Sequence, residues 1–276
     1  MLKRFLVSPF VRFLFLAFIA AQLSACGGGS GTNTAAVTAT TGSTADITDE
    51  IVLAGSVGDG PVTGATVEIW SSQGRMIGSM KSDNTASFNS RIRVRRSNYP
   101  LLLKVRGGID LVTGSEPDFQ LVSVMPDRYT RQVNINPFST LIVGITQQMP
   151  GGINANNIQI AGKIVTDKLG FGMDPGVIAD PISAQITDGN IANLVKASEA
   201  MGEMVRRTRD LIASSGRKTN GDAVLAAIAA DMLDGSLDGL GAQGADPGIS
   251  AVANVVSGQV LVEALANTLK VGGTVA

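Results

Sequence analysis

Short apolar runs alternate with turn residues along the chain from residue 51 to residue 136, which predicts a series of β-strands. Seven or eight such runs follow one another at spacings of about ten residues, a pattern typical of an antiparallel β-sandwich or barrel. The runs include IVLAGSVG at 51–58, ATVEIWS at 65–71, SFNSRIRV at 87–94, PLLLKV at 100–105 and TRQVNIN at 130–136. Asp59-Gly60-Pro61 and Asp83-Asn84 have the composition of turns between strands.

From residue 137 onward the apolar positions recur at steps of three and four residues, which predicts helices. Asn136-Pro137 suits a helix start, with asparagine as the cap and proline in the first position. We expect Phe138, Leu141 and Ile142 to dock this first helix on the sheet. Three later apolar stripes begin at Ile191, Val224 and Ile249. A bundle of four or five helices is expected, with each stripe facing the core.

The first 25 residues have the order of regions that is typical of a secretory signal peptide. A basic segment, MLKRFLVSPFVR, precedes the apolar run FLFLAFIAA, and small residues then lead to Cys26. The apolar run is shorter than the ~20 residues that a membrane-spanning helix needs. A retained transmembrane anchor, and ordinary secretion with a spare cysteine, are the alternatives.

The segment Leu23-Ser24-Ala25-Cys26 resembles a bacterial lipobox. The resemblance implies cleavage before Cys26, transfer of a diacylglyceryl group to its thiol and acylation of the new amino terminus. Two or three acyl chains hold a protein stably on a bilayer, whereas one chain binds marginally. Gly27 in place of aspartate implies transfer to the outer membrane. The rest of 26–48 consists mostly of Gly, Ser, Thr and Ala, which predicts a flexible tether.

The segment GPVTGATVEIW at 60–70 resembles the start of carboxypeptidase regulatory-like domains, which are transthyretin-like sandwiches. The likeness continues in SDNTASF at 82–88, which matches the family pattern TDxxGxF without its glycine, and in YPLLLKVRGG at 99–108. NPFSTL at 136–141 resembles the NPLTTL segments that lead from sandwich to helices in related lipoproteins. The resemblance implies a non-catalytic domain.

These patterns together predict an α+β, multi-domain fold, an antiparallel β-sandwich followed by a mostly α-helical bundle. The predicted boundaries are a signal peptide at 1–25, the lipidated cysteine and tether at 26–48, the sandwich at 49–136 and the helical domain at 137–276.

Composition narrows the chemistry that the chain can perform. Histidine is absent, which excludes His-dependent triads and His-ligated zinc. Residues 26–276 carry 19 basic and 23 acidic side chains, a net charge of −4, so a nucleic-acid partner is not expected. We find no Gly-rich phosphate loop, nucleophile elbow or dinucleotide fingerprint. We predict that the chain is not an enzyme and needs no cofactor or metal. The alternative is a hydrolase that uses a pair of carboxylates such as Asp231 and Asp234.

The basic segment RIRVRR is the main candidate binding feature. Arg91, Arg93 and Arg95 fall on one face of the predicted strand, opposite Ile92 and Val94. This face is either a solvated surface that protects a strand edge, or a patch for phosphate-bearing lipid, polysaccharide or an acidic partner.

A second candidate is IAADMLDGSLDG at 228–239, where the carboxylates raise the question of calcium binding. Asp231, Asp234 and Asp238 lie three and four residues apart, and no glutamate stands where an EF-hand loop needs one. A helix end followed by glycine turns is the expected structure, and cation binding is left open.

The predicted function is a membrane-anchored lipoprotein of the bacterial outer membrane that acts as a non-enzymatic binding or scaffolding module at the cell envelope. Its predicted partners are the membrane, through the N-terminal lipid, and an envelope protein or polysaccharide. The alternative is a small-ligand or glycan receptor that uses a groove between the domains or the arginine-rich strand face.

Overall fold

A computed structural model describes residues 46–241, 244–271 and 273–275. The predicted signal peptide, Cys26 and all but the last residues of the predicted tether lie outside these residues. Residues Thr44–Ala276 form one compact unit.

Ten strands are present in the described part of the chain. They are β1 (Thr48–Ser56), β2 (Val62–Thr63), β3 (Thr66–Trp70), β4 (Met76–Lys81), β5 (Ser87–Arg95), β6 (Leu101–Arg106), β7 (Ile109–Asp110), β8 (Val122–Met125), β9 (Lys270–Val271) and β10 (Thr274–Val275). A four-stranded antiparallel sheet has the order β4-β3-β6-β8. β1 and β5 pair antiparallel along their whole length, from Thr48 opposite Arg95 to Ser56 opposite Ser87. β2 pairs with β7, and β9 with β10.

The predicted strand at 130–136 runs beside β1 but forms only isolated bridges, and these are parallel. The amide of Val133 donates to the carbonyl of Ala54 in β1, and the amide of Ile135 donates to the carbonyl of Ser56, each at 2.8 Å. Between them the amide of Asn134 instead donates to the carbonyl of Ile182 in the later part of the chain. This segment therefore joins β1 to the helical region.

Five α-helices occur in the described residues, which together with the antiparallel sheets confirms the predicted mixed α+β class. They are α1 (Pro137–Gln148), α2 (Ala155–Leu169), α3 (Ile191–Ser214), α4 (Gly221–Asp231) and α5 (Pro247–Leu265). The predicted start of α1 is confirmed, because the side chain of Asn136 accepts from the Ser139 amide at 2.8 Å and Pro137 occupies the first position. α2 is not among the predicted helices; its start is capped by Asn154.

One hydrophobic cluster joins the strands to the helices. β1, β3, β5 and β6 contribute alternate side chains to it, and all five helices contribute buried side chains. Phe138, Leu141 and Ile142 of α1 are fully buried, and α1 packs against β8, α2 and α4. α3 packs against α5, α4 and α1, which places its middle turns inside the molecule.

α5 packs one side on α3 and α4 and exposes apolar side chains on the other, including Val255, Val262 and Leu265. It is the one helix in the described ranges that is long and apolar enough to cross a membrane, and 33% of its most apolar window is buried. Core helices of globular proteins can meet the same criterion.

Candidate functional site

The three predicted arginines lie on the exposed face of β5. Arg91, Arg93 and Arg95 alternate with half-buried Ile92 and buried Val94, as the sequence predicts. Glu50 on the neighbouring strand β1 takes up part of their charge, because its carboxylate lies 3.3 Å from Arg93 Nε and 3.9 Å from Arg91 Nη1. Both ion pairs are exposed to solvent, so each contributes little to stability.

Arg93 and Arg95, but not Arg91, line an open depression of about 290 Å³ on the surface. Arg75 completes this depression from the turn between β3 and β4. We call it the basic concavity; its lining residues are Thr48, Arg75, Met76, Ile77, Arg93, Arg95 and Asn98. Among the described residues, neither Arg75 nor Arg95 has a carboxylate within ion-pair distance. Three arginines thus line one depression, and none of the described residues that line it carries a carboxylate.

Arg75 is the residue of this site that the sequence did not identify. It lies 18 residues before Arg93 in the chain, and only the pairing of β3 with β4 beside β5 brings the two together. No local pattern around Arg75 marks it as a binding residue.

The chain enters the folded body beside the basic concavity. Asp46 accepts hydrogen bonds from the amide and the hydroxyl of Ser97, and Gln73 donates to the carbonyl of Ser97 at 2.6 Å. The hydrogen bond from the Ser97 hydroxyl lowers the pKa of Asp46, and the charge of Arg95 lowers it further. Asp46 is therefore ionised at neutral pH and anchors the entering chain to this end of the sheet.

A second charged group lies at the same end, at the start of β1. Asp49 accepts from Arg96 at 3.0 Å and lies 3.5 Å from Arg128, and the hydrogen bond from Arg96 lowers the pKa of its carboxyl. The guanidinium of Arg128 lies 4.8 Å from the centre of the exposed Tyr129 ring. The acids at this end thus have partners of their own.

A buried ionic cluster connects the turn after β1 with α3. The guanidinium of Arg206 donates to Asp59 Oδ2 at 2.6 Å, to Glu203 Oε2 at 3.0 Å and to Glu199 Oε2 at 3.5 Å. All four side chains are buried. The sequence predicts Asp59 only as a turn residue and assigns no role to the three charged residues of α3. The sequence signal that could have identified Glu199, Glu203 and Arg206 is their spacing of four and three residues, which places them on one side of a helix.

Carboxylates outnumber the guanidinium in this cluster. Asp59 Oδ1 and Glu199 Oε1 are buried and have no hydrogen-bond partner among the described protein atoms. Burial raises the pKa of Asp59 to about 7, and burial together with the charge of Asp59 raises the pKa of Glu199 to about 8. The cluster therefore exchanges protons near neutral pH. No group of three or more His, Cys, Asp or Glu side chains able to hold a metal ion occurs in the described ranges.

A smaller groove of about 170 Å³ lies where the strands meet the first turns of α3. Its walls are the 56–61 segment, the turn at 85–87 and apolar side chains of α3 and the preceding loop. The apolar side chains are Ile186, Ile191, Leu194 and Val195. The groove could hold a small apolar molecule.

The three aspartates that suggest calcium each bind backbone amides instead. Asp231 is buried, and its two oxygens accept from the amides of Gly239 and Gly241 at 3.0 Å each. Asp234 accepts from Ser236 N and Asp238 from Leu240 N, both at 2.9 Å. This arrangement organises the glycine turns that follow α4.

Comparison with protein-family models, with curated proteins and with solved structures gave no match. Cys26, the predicted lipid attachment residue, lies outside the described residues.

Proposed function

We propose that the chain is a lipid-anchored protein of the bacterial outer membrane that acts as a non-enzymatic binding module and holds an anionic partner in the basic concavity. The convergence of Arg75, Arg93 and Arg95 around one depression carries this proposal. Guanidinium groups bind phosphate, sulfate and carboxylate through paired hydrogen bonds. Arg75 and Arg95, which have no ion-pair partner among the described residues, supply the main attraction.

The lipid anchor in this proposal is the modified Cys26. Replacement by Cys26→Ser should release the protein from the membrane fraction, because a single missing attachment point removes all the acyl chains. Cell fractionation with immunoblotting measures this. A Cys26→Ser protein that still sediments with membranes would contradict the anchor, and Ser24→Thr, a small polar change before the cysteine, is the control that should retain it.

The fold in this proposal is a carboxypeptidase regulatory-like sandwich joined to a helical domain. Two observations support it. β1 with β5, and the sheet β4-β3-β6-β8, contribute to one hydrophobic cluster. Ala86 has a φ of +58° at the position where the family pattern TDxxGxF has glycine, and Phe88 two residues later is buried.

Binding at the basic concavity is tested with the double variant Arg75→Ala/Arg95→Ala on an array of sulfated, phosphorylated and carboxylated glycans. We expect the wild-type chain to bind anionic glycans and the variant to bind at least tenfold more weakly. Lys168→Ala/Lys218→Ala removes the same charge from exposed positions elsewhere and is the matched control. Equal binding of all three proteins would contradict the assignment of the anionic partner to the basic concavity.

A second candidate function is a receptor for a small apolar ligand, favoured by the groove of about 170 Å³ beside α3. Val195→Trp should fill the groove and abolish any ligand-induced rise in melting temperature. Val255→Trp, on the exposed face of α5, is the control. If no compound in a panel of small lipids and aromatics raises the melting temperature of the wild-type chain, this candidate is excluded.

A protein partner would instead make the chain a scaffold. Crosslinking in intact cells followed by mass spectrometry distinguishes this, since a stoichiometric protein captured through residues of the basic concavity would identify the partner as acidic protein rather than glycan.

A further inference from the structure

The basic concavity lies at the end of the folded body where the chain arrives from the proposed anchor. Thr48 lines the concavity, and Asp46, two residues earlier, is bonded to Ser97 beside it. A coil of about 20 residues, the length between Cys26 and Asp46, has a typical span of ~25 Å. The anchor therefore holds this end of the body within reach of the bilayer surface.

We propose that the basic concavity and the residues around it form a membrane-contact surface that binds the phosphate headgroups of anionic lipids in the bilayer that carries the anchor. This inference rests on the proposed function, of which it names the ligand. In this arrangement the arginines orient the folded body on the membrane.

Exposed apolar side chains accompany the arginines at this end. Ile47 is 52% exposed and Met76 is 46% exposed. Met76 lines the basic concavity, and Ile47 directly precedes Thr48, which also lines it. Arginine and aliphatic side chains together are typical of surfaces that lie at the headgroup level of a bilayer.

The acidic residues at this end leave two of the three arginines of the concavity without an ion-pair partner. Asp46 is held by Ser97, and Asp49 by Arg96 and Arg128. Glu50 pairs with Arg91 and Arg93, so Arg75 and Arg95 carry the charge that no described carboxylate pairs with. Asp127 accepts from the amides of Tyr129 and Thr130.

Residues 26–276 carry a net charge of −4, so the rest of the body is repelled by an anionic bilayer. Attraction at one end and repulsion elsewhere favour a single orientation, with the basic concavity toward the lipid. Arg75 and Arg95, at about 1 kcal/mol each near an anionic surface, are expected to raise the partition coefficient on the order of 30-fold over a neutral surface.

The test uses the chain from residue 26 with Cys26→Ser, which keeps the compact unit Thr44–Ala276 and lacks the lipid. Its partition is measured by co-sedimentation with vesicles of phosphatidylcholine alone and of phosphatidylcholine with phosphatidylglycerol in equal parts. We expect binding to the anionic vesicles that weakens as salt rises. Arg75→Glu/Arg95→Glu should reduce it at least tenfold, while Lys168→Glu/Lys218→Glu, with the same change in charge, should reduce it less than about threefold.

Three results would overturn the inference: equal partition onto both kinds of vesicle, equal losses in the two double variants, or binding of soluble anionic glycans without binding of anionic vesicles. The last result leaves the proposed binding function intact. Mass spectrometry of the Cys26 peptide from the wild-type protein tests the anchor separately, so failure of the anchor and failure of the membrane contact are distinguished. Thermal unfolding of each variant confirms that it is folded.

Discussion

Ala86 occupies a backbone conformation that costs free energy for any residue with a Cβ atom. Its φ is +58°, in the left-handed region, and it lies in the turn between β4 and β5. The side chain of Asp83 holds this turn, because it accepts from the amides of Thr85 at 2.8 Å and Ser87 at 3.0 Å. The left-handed conformation costs an alanine about 1 kcal/mol relative to glycine.

We therefore predict that Ala86→Gly raises the free energy of unfolding by about 1 kcal/mol, even though it removes a buried methyl group. Urea denaturation measures the change. Ala251→Gly, on the exposed side of α5, is the matched control and should lower the free energy of unfolding by about 1 kcal/mol. A loss of stability in Ala86→Gly as large as that in the control would show that the turn is not strained at this residue.

Asp59 and Glu199 make the stability of the chain depend on pH. Their pKa values are raised to about 7 and about 8 in the folded state, whereas carboxyls in an unfolded chain ionise near pH 4. Between these values the folded chain binds more protons than the unfolded chain. The free energy of unfolding should therefore fall as pH rises from about 5 to about 8, by up to about 1.4 kcal/mol per pH unit for each proton.

Urea denaturation at a series of pH values between 5 and 8.5 tests this prediction. Glu199→Gln removes one of the two titrating groups and should make the slope shallower. Asp83→Asn is the control, because a hydrogen bond from Thr85 lowers the pKa of Asp83 and its titration lies below this window. A wild-type stability that rises or stays constant from pH 5 to pH 8 would contradict the prediction.

At the scale of elements, α3 packs closely against the turn after β1 at Gly202. A Cβ atom on Gly202 would lie 2.7 Å from Cγ and 2.8 Å from Oδ2 of Asp59, the carboxylate that binds Arg206. The helix can approach the turn closely enough for this ion pair only because position 202 has no side chain. For Gly258, in α5, no atom of the described residues lies within 4 Å of the corresponding Cβ position.

Replacement of glycine by alanine should consequently change the free energy of unfolding in opposite directions at these two positions. Gly258→Ala should raise the free energy of unfolding by about 1 kcal/mol, the usual gain inside a helix. Gly202→Ala should lower it by about 3 kcal/mol, because displacement of Asp59 leaves buried charges without partners. Both changes are measured by chemical denaturation. A stabilised Gly202→Ala protein would show that α3 and the turn do not make this contact.

At the scale of the whole molecule, the strands and helices depend on a shared core. The hydrophobic cluster includes side chains of the β1-β5 pair, of the four-stranded sheet and of all five described α-helices. Arg206 also binds Asp59 across the boundary near residue 136. A chain of residues 46–136 would expose the apolar surface that α1 covers on β8.

We predict that the fragment 46–136 does not unfold cooperatively and binds hydrophobic dyes, whereas residues 46–276 unfold in one cooperative transition. Calorimetry and dye fluorescence measure this. A sharp, reversible transition in the fragment would show that the strand region is an independent domain with its own sufficient core.

The sequence alone determined the features that depend on local order. Alternation along β5 placed Arg91, Arg93 and Arg95 on an exposed face, and the three- and four-residue steps located α3, α4 and α5, because each element must turn its apolar side toward a core. The cap at Asn136 likewise needs only neighbouring residues. The residues directly before Cys26 likewise predict the lipid anchor, which stays a prediction.

Tertiary structure alone decided which distant residues meet. It brought Arg75 to Arg93 and Arg95, and Asp59 to Arg206, across separations in the chain that leave no periodic trace. It also reduced the predicted strand at 130–136 to isolated bridges, since the amide of Asn134 donates to the carbonyl of Ile182 rather than to a strand. Such contacts depend on the balance between burial and hydrogen bonding over the whole chain, and that balance exists only once the elements have packed.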